Sequence, residues 1–148
     1  MSFMPDNCPQ LMPYLVVKDP EAAMDFYEKA FGFQRDGEPL VQKGEIIHCE
    51  MIFGSVRLML GLEGAWENSA RSPNSTGGDQ GIGLFVYCED VNKHHQQATA
   101  SSAEVTMEPE DMFWGDRMYS AKDLDGYRWS FATKVGEFDP SKLPEDMQ

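Results

Sequence analysis

Apolar and polar residues alternate in several short runs, a pattern that predicts β-strands with one buried face. Gly54 and Ser55 separate two of these runs, and a two-residue spacer that begins with glycine favours a type II′ hairpin. A second hairpin is predicted to turn at residues 123–126, DLDG. The remaining predicted strands cover residues 11–17, 33–40, 81–88 and 104–107.

Two amphipathic helices are predicted, and each begins at an aspartate just after a strand. Asp19 caps the first helix, Pro20 takes its first position and Gly32 ends it. The apolar face of this helix carries Ala23, Phe26, Tyr27, Ala30 and Phe31. Asp90 caps the second helix. Residues of interest on the second helix are Val91, His94, His95 and Ala98.

The second half of the chain repeats the β-α-β-β-β order of the first half. Residues 15–19 (LVVKD) match residues 85–90 (FVYCED). The second hairpin parallels the first, with Arg128 aligned on Arg57. Paired modules of this kind build a cavity between them, so the repeat predicts a binding function.

The repeat also predicts how the chain is organised. We expect a single domain made of two modules, a long linker or lid that is rich in Gly, Ser and Asn, and an acidic tail that packs loosely. The predicted boundaries are about 10–62 for module 1, 63–80 for the linker, 81–134 for module 2 and 135–148 for the tail.

Alternation along the strands predicts which side chains face the core and which face the cavity. The predicted core positions are Ile47, Cys49, Met51, Phe53, Val56, Leu58 and Leu60 in the first hairpin and Tyr127, Trp129 and Phe131 in the second. The predicted cavity and ligand-binding positions are Tyr14, His48, Glu50, Arg57, Phe85, Trp114, Arg117, Tyr119, Arg128 and Ser130. Aromatic side chains among them would stack on a flat or cationic ligand.

Composition narrows the classes of partner. The chain has 25 acidic and 12 basic residues, and its net charge of −13 disfavours nucleic acid, because phosphate binding needs clustered Lys and Arg. The acidity either favours cationic ligands or serves solubility alone. Three cysteines without a CxxC pair indicate reduced thiols, and neither a signal peptide nor a membrane-spanning apolar run is visible. We therefore expect a cytoplasmic protein with no membrane partner.

Several short motifs occur in an order that is typical of one superfamily. These are PYLVVKD at residues 13–19, FGF at 31–33, HCE at 48–50, WGDR at 114–117 and DLDG at 123–126. Together they resemble the vicinal oxygen chelate superfamily, which contains glyoxalases, bleomycin resistance proteins and extradiol dioxygenases. The resemblance covers residues 11–133. It implies an α+β fold in which two βαβββ modules form a curved, cup-shaped mixed sheet with the helices outside, and it implies a homodimer.

The same resemblance bears on metal chemistry. Enzymes of the superfamily hold a divalent metal with His and Glu side chains, whereas bleomycin resistance proteins lack the metal. Carried onto this chain, the metal-ligand positions fall near Met12, Met59, Gly81 and Ser130. Thioether, hydrogen and hydroxyl groups do not suit a divalent catalytic metal. The chain is therefore most similar to the metal-free, bleomycin-resistance-like branch, and we expect it to bind a small molecule without a cofactor.

Two alternatives remain open. The first is a metal-dependent lyase, isomerase or dioxygenase of the same superfamily that uses a nonstandard site around His48 and Glu50, which share one strand face. The second is a structural or interaction role at a dimer surface. A catalytic thiolate is disfavoured, because Cys49 lies on the predicted core face with no evident base beside it.

Overall fold

A computed structural model describes residues 2–67, 69–78 and 81–148. It confirms the α+β class and the two βαβββ modules, each with a four-stranded mixed sheet. The chain divides into two compact units, Met1–Gly78 and Asp79–Gln148, and each unit contains one module. Within the described residues, no helix is both long enough and apolar enough to cross a membrane.

Module 1 contains four strands and one helix. Its elements are β1 (Tyr14–Val17), α1 (Pro20–Phe26), a π-helical turn (Tyr27–Phe31), β2 (Gln34–Gln42), β3 (Glu45–Phe53) and β4 (Val56–Leu62). The strand order is β1-β4-β3-β2, with β1 parallel to β4 and the other pairs antiparallel. Asp19 caps α1 by accepting a hydrogen bond from the Ala22 amide at 3.1 Å. Gly32 ends the π-helical turn with a φ of 77°.

The core of module 1 lies between its helix and one face of its sheet. The helical residues Tyr27 and Phe31 are at most 1% exposed. They pack on the predicted core face of the first hairpin, where buried residues are Ile47, Cys49, Met51, Leu58 and Leu60. The predicted alternation of buried and partly exposed residues on β3 and β4 is therefore confirmed.

Arg35 joins β2 to the helical segment through three carboxylates. Its guanidinium donates to Glu28 at 2.6 Å, to Glu21 at 2.9 Å and to Asp25 at 2.9 Å. The hydrogen bond to Glu28, followed by the one to Glu21, raises the already high pKa of Arg35. These side chains are largely exposed, so each pair adds little stability alone, but together they hold the strand against the helix.

Module 2 repeats this plan. Its elements are β5 (Gly83–Tyr87), α2 (Val91–Ala100), β6 (Glu104–Asp111), β7 (Asp116–Lys122) and β8 (Arg128–Lys134). The strand order is β5-β8-β7-β6, and β5 runs parallel to β8. Asp90 caps α2 by accepting from the Lys93 amide at 3.1 Å. Trp129 and Phe131 are at most 1% exposed, as predicted for the core.

The turn between β7 and β8 is organised by one buried carboxylate. Asp123 is 6% exposed. Its Oδ1 accepts from the amides of Asp125 and Tyr127 at 3.0 and 2.9 Å, and its Oδ2 accepts from Trp129 Nε1 at 2.9 Å. Lys122 pairs with Arg128 across the two strands, so five residues, 123–127, form the loop. Asp123 therefore fixes both the length of the loop and the position of the buried Trp129 indole.

The predicted linker contains local structure. A short 3-10 turn lies at Ala65–Glu67 and a single helical turn at Pro73–Thr76. Glu63 accepts from the Ser72 amide and from Ser75 Oγ, both at 2.8 Å, and Ser72 is 0% exposed. The segment thus closes on itself beside the end of β4. The part of the predicted linker at residues 68, 79 and 80 lies outside the described residues.

The acidic tail is tied to the loop before β7. The amides of Val135 and Gly136 donate to the Gly115 carbonyl at 2.8 and 3.0 Å, and the Asp139 amide donates to the Phe113 carbonyl at 2.9 Å. A Cβ at Gly115 would lie 2.6 Å from the Gly136 carbonyl oxygen, so only glycine permits this approach. The tail side chains are mostly exposed, but its first residues are held through the backbone.

We predict that Asp123→Ala destabilises the protein by about 3 kcal/mol, because three donors in a buried turn lose their acceptor. Urea denaturation followed by far-UV circular dichroism measures this change. Leu124→Ala is the matched control, because Leu124 lies in the same turn but is 52% exposed. Its unfolding free energy should stay within about 0.5 kcal/mol of wild type. An Asp123→Ala midpoint equal to that of the control would contradict the role given to Asp123.

Candidate functional site

Each sheet has a face that lies opposite its helix, which we call the distal face. In module 1 the distal face carries polar and apolar side chains that are partly exposed, namely His48, Glu50, Ile52, Arg57 and Met59. This is the composition predicted for it from the alternation on β3 and β4. A mixed and accessible surface is what a ligand site requires.

Three polar side chains meet on the distal face of module 1. Tyr14 Oη lies 3.3 Å from His48 Nδ1, and His48 Nε2 lies 3.5 Å from Glu50 Oε2. Tyr14 reaches His48 across Gly61, which pairs with His48 on the neighbouring strand. A Cβ at Gly61 would lie 2.6 Å from Tyr14 Oη, so the glycine makes room for the phenol. The histidine is therefore held between a phenol and a carboxylate.

Arg57 is bound to two carboxylates on the same face. Its Nη1 donates to Asp36 Oδ2 and lies 3.9 Å from Glu50 Oε1. Asp36 pairs with Glu50 in the β2–β3 register, which places both acids beside the guanidinium. Asp36 was not predictable from the sequence, because β2 has no clear alternation and its register contains irregularities.

The donors on this face do not fit the divalent metal site that the fold family implies. The cluster offers one imidazole, one phenol and one carboxylate that Arg57 also contacts. Within residues 2–67, 69–78 and 81–148, no three His, Cys, Asp or Glu side chains are grouped so that they could hold a metal ion. Met59 lies in register between Tyr14 and Glu50, and a thioether does not replace the expected imidazole or carboxylate.

The distal face of module 2 contains a cavity of about 430 Å³. Ser130 is one of its lining residues, and its Oγ is 2.8 Å from Ser120 Oγ. Phe85 pairs with Ser130 in the β5–β8 register and is 48% exposed. The cavity is lined by Gly83, Leu84, Phe85, Thr106, Met107, Ser120, Arg128, Trp129 and Ser130. Three predicted ligand-binding residues, Phe85, Arg128 and Ser130, thus share one pocket.

A buried carboxylate holds two aromatic side chains in module 2. Asp116 is 3% exposed, and its Oδ2 accepts from Tyr87 Oη and from Trp114 Nε1, both at 2.8 Å. The hydrogen bond to Asp116 raises the pKa of Tyr87. Trp114 was predicted to bind ligand, whereas the role of Asp116 was missed. The sequence feature that pointed to Asp116 was its position in the WGDR motif at residues 114–117.

Two predicted cavity residues lie on the opposite face of the module 2 sheet. Tyr119 is 0% exposed, its Oη lies 2.6 Å from His94 Nδ1, and it pairs with Phe131 of the core. Arg117 donates from its Nε to Asn92 Oδ1 of α2 at 2.9 Å. The prediction assumed a four-residue turn at 123–126. The loop has five residues, so the alternation along β7 is shifted by one position.

Tyr119 is consequently a core residue. Burial raises its pKa, so it stays protonated at neutral pH. His94 and His95 both contact its ring, at centroid distances of 5.8 and 5.1 Å. His95 Nε2 also lies 2.7 Å from Glu108 Oε2 on β6. The two histidines pack α2 against the sheet and do not face the cavity of module 2.

Sequence comparison identifies relatives over nearly the whole chain. A family model described as the Glyoxalase/Bleomycin resistance protein/Dioxygenase superfamily matches residues 9–131. The uncharacterized proteins Mb0911c of Mycobacterium bovis and Rv0887c of Mycobacterium tuberculosis H37Rv are each 30% identical over 141 residues. These matches cover 94% of this chain, 92% of the first relative and 82% of the second.

Solved structures are similar over most of the chain. TioX from Micromonospora sp. ML1 has a TM-score of 0.70 at 26% identity, with 86% of this chain and 99% of that chain covered. A member of the glyoxalase/bleomycin resistance protein/dioxygenase superfamily from Sphaerobacter thermophilus has a TM-score of 0.64 at 22% identity, with 84% and 98% covered. At 22% identity, the similarity to the Sphaerobacter thermophilus protein shows a shared fold alone.

We predict that Cys49 resists alkylation in the native protein. It is 3% exposed, and burial raises its pKa to about 11. At about pH 8, a thiol with that pKa is roughly a hundredfold less ionised than an ordinary one, and only the thiolate reacts. Timed iodoacetamide labelling with peptide mass spectrometry should show a rate at least about a hundredfold below that in urea. Native labelling of Cys49 as fast as that of the less buried Cys8 would contradict this.

Proposed function

Because this chain belongs to the glyoxalase/bleomycin resistance protein/dioxygenase superfamily, we propose that it is a metal-free binding protein for a small molecule. The bound molecule occupies the cavity of module 2. The proposal includes the homodimer that the family resemblance implies. All three cysteines are free thiols, which fits the proposed cytoplasmic location.

The cavity on the distal face of module 2 is the observation that carries this proposal. Its volume of about 430 Å³ lies within the range of small-molecule sites. Its wall combines apolar surface from Phe85 and Met107 with the hydroxyls of Ser120 and Ser130. Apolar surface supplies affinity, and a few placed polar groups orient the ligand.

The donor chemistry supports binding without the divalent metal that is typical of enzymes in the superfamily. Ser130 lies near the position where the family resemblance places a metal ligand, and its neighbour on β7, Ser120, is another serine. Neutral hydroxyls are poor ligands for zinc, iron or nickel. They are good partners for a carbonyl, hydroxyl or carboxylate of an organic ligand.

A second candidate function uses the cluster of module 1. His48 and Glu50 lie 3.5 Å apart on one strand face, and they would supply the protein ligands of a nonstandard metal site in a lyase, isomerase or dioxygenase. Metal analysis of protein purified without added metal distinguishes the two functions, with His48→Ala as the control. Stoichiometric zinc, nickel, manganese or iron that is lost in His48→Ala would replace the proposed function with this one.

We predict that Gly83→Val blocks the cavity and leaves the fold intact. A Cβ at Gly83 meets no atom within 4 Å, its φ is not left-handed, and valine suits a strand. The wild type is first screened with metal ions, bleomycin-like drugs and small acids. A compound that binds should raise its melting temperature. In Gly83→Val the affinity for that compound should fall by about tenfold or more.

Gly136→Val is the matched control for this experiment. Gly136 also has open space around its missing Cβ, but it lies in the tail and does not line the cavity. The control should bind the same compound with unchanged affinity. If Gly83→Val binds as tightly as Gly136→Val, the ligand lies elsewhere and the proposed cavity is wrong.

A further inference from the structure

One row of paired residues crosses the whole sheet of module 2 at the cavity. Ser130 of β8 pairs with Phe85 of β5 on one side and with Ser120 of β7 on the other. Ser120 in turn pairs with Met107 of β6. All four residues line the cavity. The row therefore has two hydroxyls at its centre and an apolar side chain at each end.

The neighbouring row contains ions of both signs. Arg128 pairs with Gly83 and with Lys122. Lys122 pairs with Glu104, so two cations and one carboxylate share this row. The row that contains Ser130, by contrast, offers a ligand hydrogen bonds and apolar contact without any charge.

Module 1 has a different row at the equivalent position. Its members are Tyr14, Met59, Glu50 and Asp36. The two carboxylates of that row lie beside Arg57. The central pair of hydroxyls with an apolar group on each side is therefore particular to module 2.

The hydroxyl pair leaves one hydrogen for a ligand. Ser120 Oγ and Ser130 Oγ are 2.8 Å apart, so one hydroxyl donates to the other. Within residues 2–67, 69–78 and 81–148, neither hydroxyl has a further partner. The second hydrogen then needs an acceptor once a ligand displaces water, and an unmet donor costs more than an unmet lone pair. A ligand with an acceptor at the centre of the row is therefore favoured.

The spacing of the strands sets where the apolar parts of the ligand lie. Neighbouring strands are about 4.8 Å apart, so the two ends of the row flank the hydroxyl pair at about one strand spacing each. The half-exposed ring of Phe85 is at one end and the thioether of Met107 at the other. A ligand that lies across the strands thus has its acceptor between two apolar groups. An acceptor at the end of a molecule would leave one end of the row without contact.

We infer that the ligand of module 2 is an uncharged aromatic carbonyl compound, a ketone, ester or amide whose carbonyl lies between an aromatic ring and a second apolar group. This inference rests on the proposed function, because it names the chemical class of the ligand for that cavity. The hydroxyl pair of Ser120 and Ser130 donates to the carbonyl oxygen. The Phe85 ring contacts the aromatic group, and the Met107 thioether contacts the second apolar group.

Three probes of nearly equal shape test the need for a neutral acceptor. Acetylnaphthalene has a carbonyl, isopropenylnaphthalene has a methylene group in place of the oxygen, and naphthoate has an anionic head group. NMR titration of the isotope-labelled full chain gives the dissociation constant of each probe, and the shifted amides give its location. Acetylnaphthalene should bind about tenfold more tightly than either of the others. The largest shifts should lie at residues 83–85 and 128–130 of the cavity wall.

The second apolar contact is tested by lengthening the ketone. Naphthaldehyde has only hydrogen on the far side of its carbonyl, whereas the methyl, ethyl and propyl naphthyl ketones extend toward Met107. Affinity should rise by about fourfold for each added carbon along this series. Met107→Ala should remove most of this gain and leave the affinity for naphthaldehyde within about twofold.

The hydroxyl pair is tested by a double variant, because a single substitution leaves the other hydroxyl free to donate. In the Ser120→Ala, Ser130→Ala variant, acetylnaphthalene and isopropenylnaphthalene should bind equally, within about twofold. Retained binding of isopropenylnaphthalene shows that the cavity is still formed. Ser55→Ala is the matched control, because Ser55 is an exposed serine in the turn between β3 and β4. It should keep the full preference for the ketone.

The outcomes separate the inference from the proposed function. If naphthoate or isopropenylnaphthalene binds as tightly as acetylnaphthalene, or if the double variant keeps the preference, the ligand class is wrong, while amide shifts at the cavity still support the binding site. If the probes bind but shift amides elsewhere, the cavity and the inference both fail. If no probe binds, the ligand class is wrong, and the cavity is then judged by the Gly83→Val experiment alone.

Discussion

The alternation of side chains between the two faces of the β7–β8 hairpin determines which residues of module 2 face the cavity and which face the core. Successive strand residues point to opposite faces, so one additional loop residue exchanges the two faces of an entire strand. Asp123 fixes which side chains lie on which face, because its carboxylate accepts hydrogen bonds from two amides of the five-residue loop and from the indole of Trp129. With that loop in place, Ser120 faces Ser130 on the distal side, and Tyr119 faces Phe131 in the core.

Duplication gives both modules the same register but not the same surface. Each has an aspartate-capped helix, a parallel pair formed by its first and fourth strands, and an arginine at the start of its fourth strand. The distal face of module 1 satisfies its own charges through Arg57, Asp36 and Glu50. The distal face of module 2 contains a cavity, and Phe85, Ser120 and Ser130 are among the residues that line it. A repeated backbone can thus have one face on which an arginine is paired with carboxylates and another face that contains a cavity.

Most of the fold was predictable because it follows from local rules. Strand alternation, the two aspartate caps and the repeated element order led to the βαβββ modules and to the core of the first hairpin. The face of β7 was not predictable, because a turn motif such as DLDG does not specify how many residues leave the ladder. Asp36, Arg35 and Asp116 were missed for another reason. Each of them has a partner on another element of the module, and no periodicity connects the two.

The close approach of Tyr14 to Gly61 makes these two positions evolutionarily interdependent. A side chain at 61 would collide with the phenol, so a lineage that replaces this glycine must first shorten or reorient residue 14. Module 2 shows another combination at the equivalent places, with Phe85 in the position of Tyr14 and Ala132 in that of Gly61. The loss of one hydroxyl there accompanies the gain of one methyl group. Aligned relatives should therefore show covariation between positions 14 and 61, which would mark the lineages that keep the contact with His48.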